Sequence, residues 1–448
     1  MGLDSFIVTG AGPVATRTES PPVLLPPDHP LRVELNDEAH ARPPESLSAP
    51  LRLSFLAMYS DPAQRDAEWE HLCTLVRRYG RTPPARASHY SADLGAFRVK
   101  WERHTEFTRY KFIVADGGGE PFDPPALHSV PADWLASLPG RVMVATHAAL
   151  LPAGADGPDH EALSARYFGG EALAGAQIAA GAGVAFTDFR IRDGFSRLLV
   201  LDRGMTQRQA GRSIQRLLEI DTYRLMSLLA LPVAYSLTPW LNGAERELAQ
   251  ITAELVESNE MTEPQLLERL TRLEAEIESR ESAHHYRFTA ASAYYELVQR
   301  RIEELREVRI QGLPTFREFT ERRLAPAMNT CRSVSARLES LSQRVARATQ
   351  LLSTRVDVTR ERQNQQVLES MNRRAEAQLR LQQTVEGLSA AAITYYVVGL
   401  VGYAAKGAKA LGWNVDAELV MALSIPLVAL SALLGVRHVR KVVTRAAR

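Results

Sequence analysis

Polar positions stop near the C-terminal end of the chain. Residues 387–405 and 419–436 are uncharged, largely apolar runs of 19 and 18 residues, separated by the 13-residue connection 406–418. A hydrocarbon core about 30 Å thick needs about 20 helical residues, so the pattern predicts a two-helix transmembrane hairpin over 387–436. Charge orients it. Arg437, Arg440, Lys441, Arg445 and Arg448 follow the second run without an acidic residue, whereas the connection sets Lys406 and Lys409 against Asp416 and Glu418. The positive-inside bias places the basic tail 437–448 in the cytoplasm, and two crossings then place the N-terminal part there too.

Upstream, residues 244–386 carry helical periodicity with few breaks. Thr262-Glu263-Pro264-Gln265 is a capped helix start, and the pattern holds to about Ile310 before Gly312-Leu313-Pro314 stops it. Thr315 and Glu318 cap the next helix, and Pro326 predicts a kink or a split. Nothing then interrupts the helix for ~60 residues, or ~90 Å at the α-helical rise. Leu338, Leu341, Val345, Ala348 and Leu352 alternate steps of three and four, and Leu368, Met371, Ala375 and Leu379 resume the stripe after a charged gap. This is a coiled-coil seam. Its expected partners are the 264–310 helix folded back antiparallel and the same helix in neighbouring subunits.

Between residues 51 and 240 the period changes. Residues 51–59, 97–101, 107–114, 141–148, 184–191 and 195–201 read as strands, with Asp193-Gly194 as a hairpin turn between the last two. Residues 61–79 read as a helix. A further helix opens at Thr206 and Gln209 and runs to Leu231, ended by Pro232, with a break over 239–243. The prediction is an α+β domain with a mainly antiparallel sheet and helices on one face. Residues 1–50 form a proline-rich arm.

Composition narrows the classes. A formal net charge of +1 over 448 residues gives no case for nucleic acid. Cys73 and Cys331 are too far apart in sequence for a metal-type cluster and fit a reducing compartment. The N-terminus lacks a basic region followed by an apolar core, so membrane insertion is expected from the C-terminal runs. No nucleophile elbow, Walker loop or His-Glu-x-x-His pair occurs, so an enzyme is not expected; no cofactor is identified and metal binding is undetermined. A pore would need polar groups on a common axis, and the first run offers Ser389, Thr394, Tyr395, Tyr396 and Tyr403, with backbone carbonyls near Gly399 and Gly402. The plainer alternative is that the glycines allow close helix packing and the tyrosines fill the bundle.

His29-Pro30-Leu31-Arg32 precedes Asn36-Asp37-Glu38-Ala39-His40-Ala41-Arg42-Pro43-Pro44, and residues 361–388 run into Ile393-Thr394-Tyr395-Tyr396. This combination resembles a bacterial family of uncharacterised membrane-anchored proteins, the domain of unknown function numbered 3422, over nearly the whole chain. The resemblance implies anchoring in the inner membrane by the C-terminal end and supplies no activity. Asn36, Glu38, His40 and Arg42 form its candidate motif. On an extended segment the alternate spacing of the last three puts a carboxylate, an imidazole and a guanidinium on one side, as a ligand or cation site or, more plainly, as a local lock pinning the arm. In layout the chain is also similar to CorA-type divalent-cation channels, although their Gly-Met-Asn signature is replaced by Val401-Gly402-Tyr403. Two functions are therefore expected: an oligomeric channel or transporter, or a membrane-anchored scaffold or sensor whose cytoplasmic domain binds a partner or small ligand. Both use the lipid bilayer and copies of the same chain as partners.

Overall fold

A computed structural model describes residues 26–40, 44–83, 85–115, 119–154, 159–257, 261–412, 414 and 416–446. The chain divides into two compact units: residues up to Asn242 with Ser279–Glu339, and Gly243–Glu278 with Ser340–Arg448.

In the first unit, α1 (Arg32–His40) precedes β1 (Leu51–Tyr59), α2 (Arg65–Arg78), β2 (His89–Asp93), β3 (Arg98–Arg103) and β4 (Phe107–Ala115). There follow α3 (Ala132–Ala136), β5 (Arg141–Pro152), α4 (His160–Tyr167), β6 (Ala174–Ile178), β7 (Gly183–Thr187), β8 (Ser196–Asp202) and α5 (Gln207–Leu228). Beyond these come α6 (Ala230–Glu257), α7 (Glu263–Leu305), β9 (Val308–Arg309), α8 (Phe316–Arg323), α9 (Ala325–Ala410) and α10 (Ala417–Ala446). The sheet is mixed, in the order β2-β3-β4-β1-β5-β8-β7-β6-β9, with β5 and β8 its parallel pair. Asp193 and Gly194, both at positive φ, close the β7–β8 hairpin, where Arg192 and Phe195 exchange backbone hydrogen bonds of 2.8 Å.

Helices cover both faces of the sheet, not one. Trp101, Tyr110 and Phe112 pack with Leu72, Leu75 and Val76 of α2 and Trp134 of α3. The opposite face meets α5, so β4 is buried on both sides at seven successive positions. The charged residues at alternate positions of β3 and β4, Lys100, Glu102, Arg109 and Lys111, are buried on that face.

Three helix boundaries differ from expectation. Pro232 does not end a helix. It lies in the first turn of α6, where its missing N–H removes no intrahelical bond. Nor does α6 break over 239–243: it contains Pro239, and burial of Ala234, Leu237, Leu241 and Ala244 outweighs the ~3 kcal/mol proline penalty. Helix α7 stops at Leu305, short of Ile310, because Val308 and Arg309 pair with Gln177 and Ala176 at the sheet edge. Pro326 behaves as its chemistry demands, standing in the first turn of α9 just after α8 ends.

In the second unit Leu248, Ile251, Leu266, Leu270, Leu273 and Ile277 are buried, as are Leu341, Val345, Leu352 and Val356 of α9. Glu263 at the start of α7 pairs with Arg355 at 2.6 Å. The first half of the predicted seam is thus packed within the chain. The second half is not: residues 361–385 are exposed on every side, including Leu368, Met371, Ala375 and Leu379. The C-terminal part of α9 and α10 are both long and apolar enough to cross a membrane.

Candidate functional site

The densest chemistry lies between the sheet and α5, at residues that sequence reading passed over. Antiparallel pairing sets Lys100 opposite Lys111 and Glu102 opposite Arg109 on adjacent strands. Two ammonium groups directly across a ladder repel one another. Carboxylates on either side offset this. Lys100 lies 3.2 Å from Glu102, and the Glu45 carboxylate sits 3.5 Å from Lys100 and 3.2 Å from Lys111. Arg109 bridges Glu102 at 2.8 Å and Glu219 of α5 at 3.0 Å, and Arg301 of α7 completes the Glu219 pairing. Arg301 also holds Glu304 at 2.9 Å, which Arg216 reaches at 3.0 Å. From Glu45 to Glu219 each of the six side chains is at most 7% exposed.

Electrostatics fix the protonation states. Burial alone would raise the Glu102 carboxyl, but Arg109, Lys111 and Lys100 outweigh it and hold it at about 2. Glu219 is likewise lowered by Arg109 and Arg301 against its burial. Burial dominates at Lys111, whose ammonium is depressed despite Glu45 and Glu102. Glu102 and Glu219 are thus held ionised by the cations beside them. Among the described residues no group of three or more His, Cys, Asp or Glu side chains is placed to hold a metal ion.

Glu45 comes from outside the sheet. Its segment is held by the Leu47 N–H donating to the Gln207 carbonyl at 3.1 Å and by burial of the Leu47 side chain. Gly211 of α5 permits the approach, since a Cβ there would lie 1.7 Å from the Glu45 carbonyl oxygen. Beside Glu45 and Lys100 a cavity of about 600 Å³ is lined further by His89, Tyr90, Asp93 and Arg98.

Two other polar groups stand out, one joining the sheet to α7 and one within the sheet. Glu106 binds Arg287 and accepts from the Tyr294 hydroxyl at 2.9 Å. His147 stacks on Phe195 at 4.0 Å and meets the Ser54 hydroxyl through Nδ1 at 2.9 Å; burial, then Arg197 and His128, push its imidazole down to about 4.

The residues singled out from sequence are dispersed. Asn36 lies on α1, and Glu38 and His40 have helical backbone, so the extended geometry that aligned them does not hold. Pro30 opens that helix and no proline interrupts it. Arg42 lies outside the described residues, as do residues 1–25 of the arm and Arg448 of the tail. Ser389 is exposed, and the Thr394 hydroxyl donates to the Ala390 carbonyl at 2.8 Å. Tyr395 and Tyr396 meet edge to face at 5.7 Å, and both are exposed, as is Tyr403. Gly402 is a packing position, since a Cβ there would stand 2.7 Å from Met421 Sδ, whereas Gly399 faces open space. A groove of about 920 Å³ between α9 and α10 is lined by Ala390, Thr394, Val398, Met421 and Ile425 among others.

A family model described as a protein of unknown function (DUF3422) matches residues 27–443. The chain belongs to that family. No curated protein matches it. The match takes in the ion network, the helical motif of α1 and both apolar helices of this DUF3422 chain, so one family pattern spans the sheet, the long helices and the apolar end.

Proposed function

We propose that this DUF3422 protein is a homo-oligomer anchored in the bacterial inner membrane by the hairpin of α9 and α10, with a cytoplasmic sheet domain that serves as a scaffold or ligand sensor. The observation that carries the reading is the bare stretch 361–385 of α9. A helix of that length with no partner gains nothing from burial, and its Leu368, Met371, Ala375 and Leu379 repeat at coiled-coil spacing. A parallel copy of the same helix supplies the matching stripe, and the apolar run that follows carries every copy into the same bilayer. The basic C-terminal tail supports cytoplasmic termini. The CorA-like channel reading draws on layout alone; the internal hydrogen bond of Thr394 and the contact of Gly402 with Met421 favour a packing role for the first span.

The test is the lipid- and detergent-corrected mass of the full-length particle in nanodiscs, with cross-linking of Met371→Cys. An oligomer cross-linked through position 371 is expected. A monomer overturns the reading, and a closed ring would take the channel alternative to liposome flux with Thr394 and Tyr403 variants.

A further inference from the structure

We propose that Lys100 and Lys111 form a binding site for the carboxylate or phosphate group of a small ligand, and that Glu45 occupies this site as an internal stand-in. Three observations combine. The first is the facing pair itself: two lysines opposed across β3 and β4, with side chains 5% and 3% exposed. Two buried ammonium groups so placed repel one another unless an anion lies between them. The second is the source of that anion. Glu102 is fixed in the sheet and shared with Arg109, but Glu45 arrives on a segment pinned by Leu47 and by the close approach at Gly211. The third is room: the cavity of about 600 Å³ next to Glu45 is of metabolite size and adds Arg98, His89 and Tyr90, with Asp93 as its opposing charge.

Charge counting selects the ligand class. At the lysine end Lys100, Lys111 and Arg109 face Glu45, Glu102 and Glu219, three cations to three anions; beyond them Arg301 and Arg216 share Glu304. Withdrawing Glu45 leaves the lysine end one anion short. A neutral ligand cannot replace it; a carboxylate or phosphate can, through the same charge-assisted hydrogen bonds. Glu45 counters the depression of the Lys111 ammonium by burial, so losing it depresses that ammonium further and another anion in its place offsets the loss. The inference rests on the reading of the sheet domain as a ligand sensor. Anion titration tests the site and particle mass tests assembly, so the two fail separately.

The experiment is thermal unfolding of the full-length, detergent-solubilised Glu45→Gln variant titrated with inorganic phosphate or with citrate, against chloride at matched ionic strength. Glu45→Gln melts below wild type, and phosphate or citrate restores it saturably. Its midpoint lies at least ~tenfold below that of wild type, where the anion must displace a charged competitor. Whichever anion acts names the ligand's charged group. Restoration that never saturates, that chloride reproduces, or that survives in Glu45→Gln/Lys111→Met overturns the proposal. Should Glu45→Gln not fold, a nitroxide on Ser46→Cys in the otherwise native chain reads the segment directly. Ser46 is exposed while Cys73 and Cys331 are buried, so labelling is selective. Saturating phosphate or citrate then mobilises the label, and an unchanged spectrum with both anions overturns the proposal.

Discussion

Replacing Arg109 with Met tests the buried ion network at its centre. The guanidinium is 3% exposed and bridges Glu102 and Glu219, which are themselves 0% and 3% exposed. Losing one partner of a buried pair costs about 3–5 kcal/mol, because the remaining charge stays desolvated without compensation. Here each orphaned carboxylate keeps one cation, Lys100 at 3.2 Å for Glu102 and Arg301 for Glu219. The lower end, ~3 kcal/mol, therefore applies. At about 2.1 cal/mol/K of unfolding entropy per residue, each kcal/mol moves the midpoint of a unit of this size by roughly 1.5–2 °C, so a fall of ~5 °C is expected. Tryptophan fluorescence during thermal unfolding of the solubilised full chain is the assay, since buried Trp101 and Trp134 report the sheet. Arg77→Met is the control. Its pair with Glu70 is more than half exposed on both sides and is worth about 0–1 kcal/mol. Equal shifts for the two variants would refute the burial of the network and the charge balance built on it.

Further outcomes follow from the same geometry. Gly211→Ala drives a Cβ into the Glu45 carbonyl, so it releases the 44–48 segment, read as faster proteolytic nicking there without loss of the sheet's fluorescence. His147 is neutral in the fold down to about pH 4, whereas an unfolded imidazole takes its proton near 6.5. The unfolded state therefore binds more protons between these values, and the melting midpoint falls as pH drops from about 6.5 to about 4, a slope that His147→Phe flattens. Met371→Glu places a charge on the bare stripe of α9 and shifts the particle to smaller mass, while Glu369→Gln, off that stripe and also exposed, leaves it unchanged.

The long-range outline of this fold is legible in sequence because its signals are local. Proline at 326, the Thr315 and Thr206 capping boxes and the Asp193-Gly194 turn each act within a few residues, and each appears where the chain places it. Packing decisions are less visible. Pro239 reads as a breaker until Leu237 and Leu241 are known to be buried around it, and Val308-Arg309 reads as the end of a helix until β6 offers an edge. The candidate site was hidden for the same reason. Lys100, Glu102, Arg109 and Lys111 alternate with Trp101, Tyr110 and Phe112, a pattern shared by any sheet with one wet face. Only the arrival of α5, carrying Glu219, distinguishes a buried charged face from a solvated one. Glu45 is harder still, since its partners lie 55 and 66 positions away.

The order of charges in the network bears on how a ligand at Lys100 and Lys111 would be felt elsewhere. From Glu45 through Lys100, Glu102, Arg109 and Glu219 to Arg301, the signs alternate at every step, and the two ends belong to an arm segment and to α7. In a low-dielectric interior each pair polarises the next, so a change at one end alters the optimum at the other; isolated pairs would not transmit it. A double-mutant cycle separates these cases. Glu45→Gln and Arg301→Met share no direct contact, and independent pairs give stability losses that add within about 0.5 kcal/mol. A coupling clearly above that makes the network a single unit joining the ligand site to α7. Strict additivity would confine any response to anion binding to the arm and the two lysines, and α7 would be held by Glu219 and Glu304 whatever occupies the site.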